Sequence, residues 1–147
     1  MAQRLLKPPP AMGKTILIVD DDPAGLLSYG RLLGRLGHTV LLEDDCERIR
    51  RDPRRLSGVD LLILDYRMPC WNGLDLLAAL RREAPEAAAH PAVLLISAFL
   101  TDELRDRAAG LGVVGIIDKP IDPRNLLSRV RAVLGDDLRA PAGRRHP

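Results

Sequence analysis

The segment from Asp60 to Gly73 sets the terms for the whole chain. Leu61-Leu62-Ile63-Leu64 runs apolar without a break and stops on a carboxylate, Asp65, before Met68-Pro69 and Asn72-Gly73. A short aliphatic run bounded by polar residues suits a strand buried on both faces, as in a parallel sheet covered by helices. Asp65 then falls at the strand's carboxyl end, the edge at which open α/β sheets bind ligands. Pro69 lacks a backbone donor and Gly73 tolerates unusual dihedrals, so the segment between them reads as a loop.

The same pattern recurs along the chain. Thr15 to Val19 is β-branched and apolar and leads into Asp20-Asp21-Asp22. Asp22 and Pro23 have the chemistry of a helix cap and first helical residue, Leu26, Leu27, Leu32, Leu33 and Leu36 supply an apolar face, and Gly37 is placed to end the helix. A strand is predicted over Thr39 to Leu42, then a weakly apolar helix over Asp44 to Arg51, stopped by Pro53. After the strand Asp60 to Leu64, the spacing of Leu74, Leu77 and Leu80 predicts a helix over Gly73 to Arg82, terminated by Pro85. Ala92 to Ile96 is a fourth strand closing on Ser97. Thr101 caps a helix reaching about Gly110, and Val113 to Ile117 is a fifth strand before Asp118-Lys119-Pro120. The last helix begins at Asp122-Pro123, with Ile121 stapled to Leu126, and ends at Gly135. Five strands alternating with five helices predict a doubly wound α/β domain with a parallel sheet and helices on both faces.

This domain is expected over 14–135. Residues 1–13, with Pro8-Pro9-Pro10, read as a flexible lead-in, and 136–147 as a disordered tail without an output domain. The 147 residues, 46% hydrophobic and 29% charged, suit one globular domain. The net charge of +2 comes largely from Arg4, Lys7, Lys14, Arg139, Arg144 and Arg145 at the ends, which argues against a nucleic-acid-binding stripe through the body. Cys46 and Cys70 are too few for a disulfide framework or a metal knuckle, and no run approaches a signal sequence or a membrane span. A cytoplasmic protein that uses neither nucleic acid nor membrane is the expectation.

Four of the five strands end on chemistry-bearing residues: Asp20 and Asp21, Asp65, Ser97 and Lys119. A parallel sheet brings all of them to one edge. Three carboxylates there repel one another and call for a cation, and an oxygen-only set suits Mg²⁺. A hydroxyl and an ammonium beside the metal are what a phosphoryl group requires, and an aspartate can act as the nucleophile toward phosphorus. Nineteen of the twenty-two basic residues are arginine, yet this site carries Lys119, a compact charge that reaches a single oxygen.

At these residues the chain resembles the receiver domain of two-component response regulators. The likeness runs through Ile-Leu-Ile-Val-Asp20-Asp21-Asp22, Leu-Asp65-Tyr-Arg-Met68-Pro69 with Gly73, Ser97-Ala98 and Lys119-Pro120, over 14–135. The resemblance implies a flavodoxin-like strand order, 2-1-3-4-5. It implies that Asp65 is the phosphoacceptor, that Asp21 binds Mg²⁺ directly and Asp20 through water, and that Asp65 and the backbone carbonyl of Arg67 complete the metal site. Ser97 and Lys119 would hold the phosphoryl oxygens. The implied phosphodonor is a phosphohistidine on a histidine kinase or histidine phosphotransfer protein, and the implied output is contact with a downstream target protein.

The chain departs from that pattern at the switch position, where an aromatic is usual and Ile116 stands, and at Ile121, where Phe is frequent. Arg67 and Phe99 occupy the positions that modulate phosphoryl lifetime, and their bulk is expected to hinder hydrolysis. Arg48, Arg50, Arg51, Arg54 and Arg55 read as a solvated face, Cys70 as an ordinary loop cysteine, Trp71 as a loop anchor or partner contact, and His38, His90 and His146 as surface or strand-entry residues. Two alternatives remain: a receiver-fold interaction module that is not phosphorylated, and an aspartate-nucleophile phosphohydrolase built on Asp20-Asp21-Asp22. The second does not require Asp65-x-x-Met68-Pro69 and lacks a substrate-binding cap domain.

Overall fold

The computed structural model describes Arg4–Leu5 and residues 13–135. Six strands form one sheet: β1 (Arg4–Leu5), β2 (Thr15–Val19), β3 (Thr39–Glu43), β4 (Leu61–Asp65), β5 (Ala92–Ser97) and β6 (Gly115–Asp118), in the order β1-β3-β2-β4-β5-β6. Pairings among β2 to β6 are all parallel. Counted without β1, these strands run 2-1-3-4-5, the order expected. The helices are α1 (Pro23–Gly34), α2 (Cys46–Arg51), α3 (Gly73–Glu83), α4 (Pro85–Ala89), α5 (Asp102–Gly110) and α6 (Pro123–Leu134), with a 3-10 turn over Pro53–Leu56.

The unbroken apolar strands serve two cores at once. On one face Ile16, Ile18, Leu61, Ile63, Leu94, Ile96 and Ile117 pack with Leu26 and Leu33 of α1 and Leu126 and Val130 of α6. On the other, Leu17, Val19, Leu62, Leu64, Val93 and Leu95 meet Ile49 of α2, Leu74, Leu77 and Leu80 of α3, and Leu104 and Ala108 of α5. Successive side chains on a strand point to opposite faces, so a strand covered on both must be apolar at every position.

The ladders continue one residue past several strands. The Asp20 amide donates to the Glu43 carbonyl (3.1 Å), Tyr66 to Ile96 (2.8 Å) and Lys119 to Ser97 (3.0 Å). Asp20, Asp65, Ser97 and Lys119 are thereby held at one edge by backbone bonds before any side chain interacts.

Local departures have identifiable causes. Within 1–13, expected as a flexible lead-in, Arg4–Leu5 is an antiparallel strand on β3, pairing with Leu42 and Leu41; its other residues up to 12, and the expected tail 136–147, lie outside the described residues. Gly37 takes the left-handed conformation (φ 91°) as predicted, but α1 ends at Gly34 and two turn bonds bridge the gap. Pro85 follows the end of α3 and itself opens α4, which was not foreseen. The fifth parallel strand begins at Gly115, not Val113, and runs on through Asp118. The Val113 amide is taken by the Ala108 carbonyl at the end of α5, and Val114 is left 56% exposed.

Gly73 is the position where the fold leaves least room. A Cβ there would lie 2.7 Å from the Asp65 carbonyl oxygen and 3.1 Å from Leu95 Cδ1, and backbone on the strand carrying Asp65 cannot easily give way. Gly73→Ala is therefore predicted to lower unfolding free energy by roughly 1–3 kcal/mol, as overpacking does. Gly110→Ala meets nothing within 4 Å at the end of α5 and should be neutral or slightly stabilising. Denaturant titration of both variants checks the contrast.

Candidate functional site at the carboxyl edge of the sheet

Asp20 follows β2, Asp65 ends β4, Ser97 ends β5 and Lys119 follows β6. Asp20, Asp65 and Ser97 are buried, at 2%, 3% and 1% exposure, whereas Asp21 faces solvent. Carboxylate oxygens of Asp20, Asp21 and Asp65 all lie within 4.8 Å of one another. The Lys119 Nζ reaches in to 2.8 Å from Asp65 Oδ1. Asp20 Oδ1 accepts the Asp22 amide at 3.0 Å, while Asp22 turns outward and caps α1, accepting from the Ala24 amide at 3.2 Å. The third aspartate is thus spent on the helix, as the sequence indicated.

Ser97 stands at the site but its hydroxyl is turned into its own loop, donating to the Phe99 carbonyl (2.8 Å) and accepting from the Phe99 amide (3.0 Å). The Arg67 guanidinium lies 4.5 Å from the centre of the Phe99 ring. The two residues singled out separately in the sequence therefore form one cation–π stack, linking the loop after β4 to the loop after β5. Arg67 also pairs with Asn72 in an isolated antiparallel bridge, which folds the loop back before α3. A cleft of about 470 Å³ opens beside it, lined by Asp21, Tyr66, Arg67, Met68, Pro69 and Asn72.

Burial is the dominant electrostatic fact. It pushes the Asp20 carboxyl up to about 6; the Asp22 amide opposes this, and the nearby Asp65 charge adds to it. Asp65 is also raised, chiefly by burial, although the Lys119 hydrogen bond and charge pull the other way. For Lys119 burial acts downward, but its bond to Asp65 and the charges of Asp65 and Asp20 outweigh it, and the net direction is up. One ammonium does not balance three converging carboxylates. The unmet charge, the all-oxygen donor set and the open side at Asp21 fit a small hard divalent cation such as Mg²⁺.

Ile116 is half-buried and packs against the core beneath α2, α3 and α5. Its carbonyl accepts Arg129 Nη2 from α6 at 3.0 Å, a tie that aliphatic patterning did not reveal. Tyr29 of α1 was also missed. Its phenol is raised, first by burial and then by the charge of Asp20, which puts it in the electrostatic reach of the cluster. The arginines around α2 are neutralised locally: Arg48 by Glu43, Asp44 and Asp45, Arg50 by Glu83, Arg51 by Glu47, Arg54 by Asp52 and Arg55 by Glu43. Trp71 is an anchor, its Nε1 donating to Glu47 Oε2 at 2.7 Å with Arg50 over its ring. His38 is buried and accepts the Lys14 amide at 3.0 Å, and His90 is exposed, facing Asp60; His146 is outside the described residues.

The burial of Asp20 has a signed consequence. Its carboxyl is near 3.8 unfolded and about 6 folded, so the folded state holds more protons between those values, and its contribution to stability is present below pH 4 and lost as pH rises through 6. Asp20→Asn removes that loss. Without metal, the variant should be more stable than the parent at pH 7.5, by about 1–3 kcal/mol, and should lose the advantage near pH 4. Mg²⁺ should raise the melting temperature of the parent more than that of the variant. Thermal unfolding at the two pH values, with and without Mg²⁺, checks both statements.

Comparison with known proteins agrees with this geometry. The response regulator receiver domain family matches residues 16–131. The sensory/regulatory protein RpfC of Xanthomonas campestris pv. campestris is 31% identical over 129 residues, which are 86% of this chain and 18% of that protein. The transcriptional regulatory protein CpxR of Escherichia coli is 35% identical over 121 residues, 81% of this chain and 48% of that one. The chain thus spans half or less of the length of these relatives. The chemotaxis protein CheY4 of Vibrio cholerae shares the fold, with a TM-score of 0.73 at 21% identity over 82% of this chain and 98% of that one. With its parallel sheet in the 2-1-3-4-5 order and the family match over most of its length, this chain belongs to the response regulator receiver domain family.

Proposed function

We propose that this chain is a phosphorylation-dependent signalling receiver in which Asp65 accepts a phosphoryl group from a phosphohistidine on a partner kinase or phosphotransfer protein, and which then signals by contact with a target protein. The observation that carries the reading is the Lys119 ammonium 2.8 Å from the oxygen of a buried aspartate that closes a three-carboxylate cluster. The ammonium opposes the upward push of burial on the Asp65 carboxyl, and the lysine can follow the charge onto a phosphoryl oxygen.

In this reading an Asp65 oxygen forms the new bond to phosphorus as the phosphorus–nitrogen bond of the donor breaks, and the imidazole keeps the electron pair. Asp20, Asp21, Asp65 and the Arg67 carbonyl would hold Mg²⁺, which when bound supplies positive charge to the phosphoryl oxygens. Ser97 gives up its bond to the Phe99 carbonyl to donate to one of those oxygens, and the Lys119 ammonium holds another. Because Phe99 lies under the Arg67 guanidinium, movement of Ser97 is felt by that stack. In this reading the bulk of the stack, joining the loops that follow β4 and β5, hinders water and prolongs the phosphorylated state. Ile116, packed and tied to Arg129 through its carbonyl, would pass the change to the surface of β6 and α6 by shifting rather than by swinging a ring. Asp22, which a phosphohydrolase using Asp20 would need as its second acid, is instead the cap of α1.

Incubation with Mg²⁺ and a small acyl phosphate, followed by intact mass, is expected to give one phosphoryl adduct that needs the metal. Asp65→Asn should give none, and Lys119→Ala should slow its formation on the order of 10²-fold, the cost of losing one donor to developing charge. Catalytic release of phosphate from simple esters, lost on Asp20→Asn but kept on Asp65→Asn, would sink the reading. Decay of the adduct should accelerate several-fold in Arg67→Asn and Phe99→Ala, and unaltered decay in both would remove the stack from the account.

A further inference from the structure

The loop after β4 carries a reactive group besides the nearby Asp65, and α2 supplies its partner. Cys70 is exposed in that loop and Cys46 is buried at the start of α2. Their sulfurs and a carboxylate oxygen of Asp45 nevertheless all lie within 4.8 Å of one another. After burial, the neighbouring Cys70 thiol is the next influence pushing the Cys46 thiol up, and the Trp71 backbone opposes it. The sequence alone gave these cysteines no relation, because α2 and the loop meet only in the folded chain.

Two thiols so placed can share a soft cation or join as a disulfide. Asp45 counts against the cation. Its Oδ1 accepts the Glu47 amide at 3.0 Å as the cap of α2 and its Oδ2 faces Arg48 Nε at 3.7 Å, which leaves two sulfurs where a closed zinc site needs four ligands. We propose that Cys46 and Cys70 form a reversible disulfide that ties α2 to the phosphoacceptor loop, closed by peroxides and reopened by dithiols.

The steps balance. The Cys70 thiolate attacks a peroxide oxygen; a sulfur–oxygen bond forms, the oxygen–oxygen bond breaks, and for hydrogen peroxide one water leaves. The Cys46 sulfur then attacks the sulfenic acid at Cys70; the disulfide forms, the sulfur–oxygen bond breaks, and the departing hydroxide takes the Cys46 proton as a second water. Two electrons pass from the sulfurs to the peroxide. Exposure assigns the roles. Cys70 meets the oxidant, while burial pushes the Cys46 thiol up to about 11, so that it stays protonated and resolves rather than initiates.

Closure to a sulfur–sulfur bond of about 2.05 Å draws the two sulfurs together by at most about 2.8 Å. Trp71, next to Cys70, already ties the loop to α2 through its bond to Glu47 and its ring under Arg50. Cys70 directly follows Pro69, which with Met68, Arg67 and Tyr66 lines the cleft that also contains Asp21. Fixing it restricts that lining, and the bridged protein accepts a phosphoryl group more slowly. This last consequence rests on the phosphoacceptor reading; the bridge does not.

The test treats the full chain with hydrogen peroxide, blocks remaining thiols with iodoacetamide and digests it with trypsin without reductant. The expected result is an intact mass lower by two hydrogens and a joined pair of peptides, 36–48 and 68–81, both reversed by dithiothreitol and absent in Cys70→Ser. Wild-type peptide mapping decides the matter even if a Cys46 variant fails to fold. Separate alkylation of both cysteines, oxidation halted at Cys70 with Cys46 free, or stoichiometric zinc binding that shields both thiols and leaves no bridge would overturn the proposal. With acyl phosphate and Mg²⁺, adduct formation should be several-fold slower in the bridged form and recover on reduction. Equal rates in bridged and reduced protein would overturn control of the loop, whereas absence of adduct from both would count against the phosphoacceptor reading alone.

Discussion

Burial of two carboxylates at the end of a parallel sheet is the constraint on which the rest of this protein turns. Asp20 and Asp65 are almost completely removed from solvent, with Asp21 beside them, and a single lysine answers the three. Such a cluster is costly in isolation, because both desolvation and mutual repulsion oppose ionisation. It persists because its positions are dictated by main-chain hydrogen bonds between strands whose side chains fill two cores. The sheet supplies the stability, and the edge spends part of it on keeping three carboxylates together.

This division explains what was legible in the residues. Buried parallel strands leave continuous aliphatic runs, and Thr15–Val19 is found where the pattern put it. Helix starts were equally clear, because Asp22, Thr101 and Asp122 are caps whose side chains bond the first turn. The convergence of Asp20, Asp21, Asp65 and Lys119 followed from topology alone, since parallel strands end on the same side. What escaped were features fixed by particular contacts and local starts that the apolar pattern does not show. The Val113 amide is captured by the end of α5, which delays β6; Pro85 starts a helix where it was expected only to stop one; and Arg4–Leu5 finds an open strand edge that the pattern around it did not announce. The Arg67–Phe99 stack, the Arg129 bond to Ile116 and the Cys46–Cys70 pair are of the same kind, each joining residues far apart in sequence.

The two loops at the site are mechanically joined as well as chemically apposed. Ser97 holds Phe99 by two hydrogen bonds, Phe99 lies under Arg67, and Arg67 pairs with Asn72, the cap of α3. Trp71, between Cys70 and Asn72, anchors the same loop to α2 through Glu47. These contacts join the loops after β4 and β5 to α2 and α3, and Ile116 of β6 is tied to α6 through Arg129.

Reductive trapping puts the central claim to its most direct test. The chain is exposed to a phosphohistidine donor with Mg²⁺, treated with borohydride, which converts an aspartyl phosphate to homoserine, and mapped by peptide sequencing. The account predicts conversion at residue 65 and at no other aspartate. Conversion at residue 20, or none in folded protein that consumes the donor, would contradict it.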